Sequence, residues 1–260
     1  MRLSKALILL STALICSAFA RANDSELVIY YEDNFRPYTY TENGNASGIN
    51  TVMIRTACEA AGVACKFVAM PWSRAMATVF KNPKGSVLSA SRNSAREHFF
   101  KWVGPVMSGE TMYFKLKSRD DIVIEKTEDV LNYSIGVPRN DIYESVLLAR
   151  GFRHGENLLQ TTSKIDAIRL FLVGRLDLMI ASEFSLPAAL AQFDRSISEV
   201  EAVAWLRTPE LKGNYLAVNS AVSNEVISSL NKALIKYRKT VEFNELLNRH
   251  RQSKIKPPAF

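Results

Sequence analysis

Between Leu27 and His250 the chain alternates repeatedly between short apolar runs bounded by polar turns and longer stretches with helical apolar spacing. The apolar runs predict strands at residues 27–31, 64–69, 86–91, 112–117, 134–137, 176–181 and 214–218. Spacings of three and four predict helices at 49–61, 72–80, 142–149, 163–173, 185–193, 225–238 and 241–250, with a polar turn at 41–48. A helix between two strands carries the chain back over the sheet face, so the flanking strands run the same way. The pattern therefore predicts an α/β fold with largely parallel sheets. No internal repeat, low-complexity tract or long linker interrupts it. Two lobes without a linker would be joined by chain that crosses back and forth, a hinge rather than a tether.

The first residues carry an address. Arg2 and Lys5 precede an apolar run over residues 6–20, and Ala18-Phe19-Ala20 or Ala20-Arg21-Ala22 supplies a small-residue cleavage site. A membrane span needs about 20 apolar residues. The run reads instead as a secretory signal peptide, residues 1–22. Cys16 follows Ile15, which is too bulky for a lipidation signal, so release is expected over anchoring. The chain left at 23–260 is expected in a bacterial periplasm, long enough for one large domain or two small lobes.

The full chain carries 33 basic and 26 acidic residues, a net charge of +7. Loss of Arg2, Lys5 and Arg21 with the leader lowers it to +4. The remaining lysines and arginines are scattered, with no dense run, so nucleic acid is not an expected partner. His98, His154 and His250 lie far apart in no ligand-spaced motif, and neither a metal nor a cofactor is expected. Cys58 and Cys65 survive cleavage. In an exported protein a pair this close reads as one local disulfide. Cys58 would sit in the last turn of the helix that Gly62 ends, and Cys65 in the next strand. The spacing is not that of a CxxC redox pair.

The most informative stretch for function is Ser86 to Pro105, SVLSASRNSAREHFFKWVGP. Ser89, Ser91 and Arg96 stand as S-x-S-x4-R where an expected strand runs into a polar turn. Two hydroxyls and a planar fork of five donors can grip both oxygens of a small carboxylate. A surface arginine beside a serine-rich turn is the plainer alternative.

With its order of motifs, the chain resembles the periplasmic substrate-binding proteins of the polar-amino-acid family that serve ABC importers. It is similar to the lysine/arginine/ornithine- and histidine-binding members. The resemblance rests on Phe35-Arg36-Pro37-Tyr38, Gly48-Ile49-Asn50, the Cys58/Cys65 pair and the Ser89, Ser91, Arg96 cluster. It continues through Trp102 to Pro105, Gly136-Val137 with Asn140-Asp141, and Gly174-Arg175-Leu176-Asp177. Each match is weak alone; their order and spacing over the whole mature chain make the likeness specific.

The resemblance implies a two-lobed α/β fold with two hinge crossings and a ligand cleft between the lobes. Lobe one would comprise residues 23–108 plus 208–260, and lobe two residues 109–207. Arg96, with Ser89 and Ser91, would hold the solute carboxylate. Trp72 would stack on the solute and Phe35 would form a second aromatic wall, although large aromatics are often simply core. Glu32 falls where the family has an acid that pairs with a basic ligand side chain. Asn140, Asp141 and Ile142 open a helix whose free N–H groups can receive a carboxylate, with Asp141 as an ordinary N-cap the alternative. One departure bears on the ligand. Where the family has an aspartate for the α-ammonium, this chain has Ser182, followed by Glu183.

The expected function is capture of a small carboxylated solute, an amino acid first, by closure of two lobes. The expected partners are that small-molecule ligand and an inner-membrane ABC permease, and the protein is expected to be a monomer. A periplasmic dehydratase-like enzyme on the same scaffold would need Glu32 or Glu183 as a general acid. No nucleophile–base pair or metal motif points to an enzyme. A ligand-sensing component of a signalling system is the third possibility.

Overall fold

The computed structural model describes residues 26–250 except Asn140, together with residues 255–259. The expected signal peptide and Asn140 lie outside the described residues. The elements follow in chain order: β1 (Leu27–Tyr31), β2 (Tyr40–Glu42), β3 (Asn45–Ser47), α1 (Ile49–Ala61), β4 (Cys65–Ala69), α2 (Trp72–Lys81), β5 (Gly85–Ser91) and α3 (Ser94–Glu97). Next come β6 (Phe100–Met107), β7 (Thr111–Leu116), β8 (Ile135–Pro138), α4 (Ile142–Ala149), β9 (Leu158–Thr161), α5 (Lys164–Leu172) and β10 (Met179–Ser182). The last are α6 (Ser185–Ala191), β11 (Val200–Trp205), β12 (Asn214–Asn219), α7 (Asn224–Tyr237) and α8 (Val241–His250).

The strands divide between two lobes. One holds a five-stranded sheet in the order β4-β1-β5-β12-β6; the other holds β10-β7-β11 and the pair β8-β9. The chain passes from the first sheet to the second between β6 and β7, and returns between β11 and β12. These are the two crossings of a periplasmic-binding-protein fold.

The sheets are mixed, which corrects the expectation of largely parallel pairing. β1 runs parallel to β4 and β5, and β8 parallel to β9. β12 is antiparallel to β5 and β6, and β7 is antiparallel to β10 and β11. The physical reason is the hinge. β12 enters its sheet from the other lobe rather than over a crossover helix, so nothing forces it to run parallel. The expected turn at 41–48 is a small hairpin of β2 and β3 reversing at Asn43 and Gly44, whose φ angles are 50° and 76°. Two positive φ values in sequence match the right-handed twist of the flanking strands.

Each lobe is built on period-two strands between helices. Leu27, Ile29 and Tyr31 of β1 face a core that α1 and α7 close with Ile49, Met53, Ile54, Leu230 and Leu234. Tyr30 faces the opposite core, where α2 brings Ala75 and Val79. In the second lobe Tyr113 packs against Ile135, Leu147 and Phe152 on one face of β7. Met112, Phe114 and Leu116 pack against Phe171, Leu186 and Leu190 on the other. Burying a Leu, Ile or Phe side chain stabilises by roughly 1.5–3 kcal/mol, so each lobe carries a core of its own.

Cys58 and Cys65 are bonded, with 6.2 Å between their Cα atoms. The bridge ties the last turn of α1, which ends at the left-handed Gly62 (φ 66°), to the first residue of β4. Gly48, ahead of α1, has φ 105°, and a Cβ there would lie 2.5 Å from the Tyr38 carbonyl oxygen. Only glycine lets the loop carrying Tyr38 lie this close to the helix start.

Candidate functional site

A cleft of about 560 Å³ opens between the lobes. One wall comes from the loop after β1, the start of α2, the end of β5 and α3. The other comes from the starts of α4 and α5 and the end of β10. Strand ends and helix starts from two sheets thus converge on one space, the usual place for a ligand in open α/β sheets.

The first wall is shaped by a bulge. Along β12, Tyr215 pairs with Ala90 and Ala217 with Val87, so three steps on β5 oppose two on β12. The extra residue is accommodated at Ser89, whose φ is 65°. A bulge of this kind bends the strand and re-aims a side chain. It brings Val87 and Ala90 onto one core face and puts Ser89 on the cleft. Its Oγ accepts a hydrogen bond from Asn50 Nδ2 at 2.8 Å. Ser91 lines the cleft two residues on.

Arg96 stands on α3, whose cap Asn93 accepts a hydrogen bond from the Arg96 N–H at 3.0 Å. Its guanidinium lies over the Trp72 ring, 5.7 Å from the centroid, and Nη1 donates to the Ser91 carbonyl at 3.2 Å. Burial pulls its pKa below the usual arginine value, partly offset by Asp141 across the cleft. It remains a cation at neutral pH. Among the described residues no carboxylate lies within ion-pair distance of it, and its side chain lines the cleft.

On the second wall Asp141 caps α4, its Oδ1 accepting from the Tyr143 N–H at 3.0 Å. Ile142 lies beside it in the cleft lining. Ser163 caps α5 by accepting from the Asp166 N–H at 3.1 Å, and the next residue, Lys164, projects into the cleft. The Lys164 ammonium lies 3.6 Å from Glu32, 3.6 Å from Asp141 and 4.0 Å from the Phe35 ring centroid. Ser182 ends β10, and its Oγ lies 2.7 Å from the Tyr38 hydroxyl of the other lobe. Ser182 also shares a reciprocal pair of backbone-to-hydroxyl bonds with Ser185, at 2.9 and 3.1 Å.

The structure thus brings Glu32, Phe35, Trp72, Ser89, Ser91, Arg96, Asp141, Ile142 and Ser182 to one cleft. Glu183 is not among the residues that line it. Glu183 stands in the turn after β10, close enough to raise the pKa of the Tyr38 phenol electrostatically. Glu32 meets a lysine of the chain itself. Sequence reasoning had passed over Lys164 and the role of Tyr38. The cap at Ser163 announces a helix start, but no local pattern shows that its first residue reaches the other lobe.

Two α/β lobes, two crossings and a lined interlobe cleft are the architecture of the periplasmic-binding-protein fold. The chain belongs to the bacterial extracellular solute-binding proteins, family 3, whose model matches residues 27–253. Solved structures agree on the fold. An ancestral arginine-binding protein bound to arginine superposes with a TM-score of 0.70 at 18% identity, covering 87% of this chain and 98% of its own. A structure described for glutathione import in Gram-positive bacteria via GshT and the cystine ABC importer TcyBC of Streptococcus mutans gives 0.74 at 14%, covering 90% and 98%. A histidine kinase sensor domain with similarity to periplasmic binding proteins gives 0.71 at 19%, covering 89% and 98%. A comparison with curated proteins gave no match.

Proposed function

We propose that the protein captures a small carboxylated solute by closure of two lobes and delivers it to an ABC importer of the inner membrane. Lobe one is taken as residues 23–108 plus 208–260 and lobe two as residues 109–207. The observation that carries this reading is Arg96. Its guanidinium faces the cleft beside Ser89 and Ser91, with a single hydrogen bond to a backbone carbonyl and no acidic partner among the described residues. A fork of donors held against an aromatic ring and left without a countercharge fits a carboxylate ligand. Trp72 and Phe35 provide flat apolar surface for the rest of the solute. The backbone N–H groups at the start of α4 are the weaker part of the site, because Asp141 already caps one of them.

Mass spectrometry of solute released from denatured purified protein identifies the ligand. Calorimetry with that solute then tests the clamp. Truncating one partner of a buried charged pair costs about 2–5 kcal/mol, so Arg96→Ala should weaken binding by roughly thirtyfold or more. Arg96→Lys should lose much of the affinity too, because an ammonium cannot reproduce the fork. Unchanged affinity in a folded Arg96→Ala protein refutes the assignment.

The likeness to a histidine kinase sensor domain favours a second reading, a sensor component that presents its closed form to a signalling partner. Crosslinking in intact cells separates the two, since one reading requires a permease partner and the other a membrane kinase. An enzyme on this scaffold would need Glu32 released from Lys164 to act as a general acid.

A further inference from the structure

We propose that the solute is a small carboxylic acid carrying no ammonium group, such as an oxo, hydroxy or simple acid, held through its carboxylate against the aromatic wall. The proposal rests on the carboxylate-capture reading above and narrows the ligand from the amino acid that family resemblance suggests.

A cation entering the cleft is best met by an acid, and the two less exposed acids among the described lining residues already share one. Among the described residues three acids line the cleft: Glu32, Asp33 and Asp141. Glu32 and Asp141 share the Lys164 ammonium at 3.6 Å each. Asp141 also caps α4 through Tyr143. Asp33 is exposed, and its Oδ1 accepts from the backbone N–H groups of Asn34 at 2.8 Å and Thr41 at 2.6 Å, which holds it in the turn after β1. Against these three stand Arg36, Arg96, Arg139 and Lys164, so the lining carries more positive than negative charge.

Ser182, the remaining candidate for an ammonium, has no capacity left. A serine hydroxyl has one donor and two acceptor sites. The Ser182 Oγ accepts from the Ser185 N–H at 3.1 Å and lies within hydrogen-bond distance of the Tyr38 hydroxyl at 2.7 Å and the Ser185 hydroxyl at 3.1 Å. It is neutral, 6% exposed and spent on holding the lobes together. An ammonium brought beside it would lose its hydration with no free hydroxyl acceptor to replace it. A carboxylate meets Arg96 with most of its donors available. The two ends of an amino-acid zwitterion would therefore be treated unequally, and the form without the ammonium is the better fit.

Calorimetry on the purified wild-type protein, unfolded and refolded to strip endogenous solute, tests this with matched pairs. The probes are L-leucine against 4-methyl-2-oxopentanoate, L-phenylalanine against phenylpyruvate, and L-glutamate against 2-oxoglutarate. In the pair that binds, the oxo acid is expected to be tighter by about tenfold or more, a difference of about 1.4 kcal/mol. An amino acid that binds as tightly as its oxo acid, or more tightly, overturns the inference and leaves carboxylate capture standing. No binding by either member of every pair, with Arg96→Ala also indistinguishable from wild type towards the solute released from cells, removes both.

Discussion

The Tyr38 and Ser182 hydroxyls lie 2.7 Å apart across the cleft, although 144 positions separate them in the chain. Tyr38 is 6% exposed, and burial pushes its phenol above the ordinary 10.0, with the Ser182 hydrogen bond pulling the other way. The phenol therefore stays protonated and able to donate throughout the physiological range. The contact joins the two lobes through buried polar groups rather than through a surface ion pair, so salt should barely affect it.

Tyr38→Phe removes this bond but leaves Ser182 its bonds to Ser185. The loss is expected to weaken the closed form by about 0.5–1.5 kcal/mol. Small-angle scattering on solute-free protein should show a larger radius of gyration for the variant. Identical scattering profiles for variant and wild type would mean that the contact does not hold the lobes.

Lys164→Gln frees Glu32 and Asp141 from their shared cation. L-arginine, a probe with a distal cation, is then expected to bind the variant about tenfold or more tightly than it binds wild type, roughly 1.4 kcal/mol. Titration calorimetry measures it, and equal arginine affinities would show that Lys164 does not set the selectivity.

The same lysine fixes a pH dependence. Its side chain keeps 38% of its surface open, yet the cleft walls are dense enough to desolvate the ammonium and pull its pKa down. Asp141 and then Glu32 outweigh that effect and raise it above the ordinary 10.5. A group whose pKa is higher folded than unfolded contributes stability that is complete below the unfolded pKa and is lost as pH rises through the folded one. The difference in melting temperature between wild type and Lys164→Gln should hold constant through neutral pH and shrink only above about pH 10.5. A difference that shrinks between pH 6 and 8 would point to another group.

Ser89 occupies a left-handed conformation that a β-branched residue strongly resists. Ser89→Val is expected to destabilise the protein by about 1–3 kcal/mol. Ser89→Gly loses the hydroxyl but accepts the backbone angle, and should cost distinctly less. Urea denaturation compares them; equal midpoints for the two variants would remove the strain argument.

The Cys58–Cys65 bridge lies at the far end of α1 and neither cysteine lines the cleft. Reduction is expected to lower stability by about 2 kcal/mol, as closure of a short loop predicts, with solute affinity unchanged. Two reactive thiols in native, unreduced protein would contradict the bridge.

Local chemistry made much of this protein legible in its sequence. Apolar periodicity placed β1, β5, α1 and α7 because burying one face of a strand or helix leaves a repeat in the chain. Gly62 marked the end of α1, and S-x-S-x4-R singled out Ser89, Ser91 and Arg96, which the structure places together in the cleft lining. β6, β9 and β11 were not legible. β6 carries Gly104 and Pro105 within an aromatic run, β9 is four residues long, and β11 owes its pairing to β7 far away in the chain. The mixed strand directions, the bulge at Ser89, the Lys164–Glu32 pair and the Tyr38–Ser182 bond were settled only by tertiary structure. Each depends on which surfaces meet when two separately built cores come together. That meeting is a long-range free-energy balance, and it leaves no period or local spacing in the chain to read.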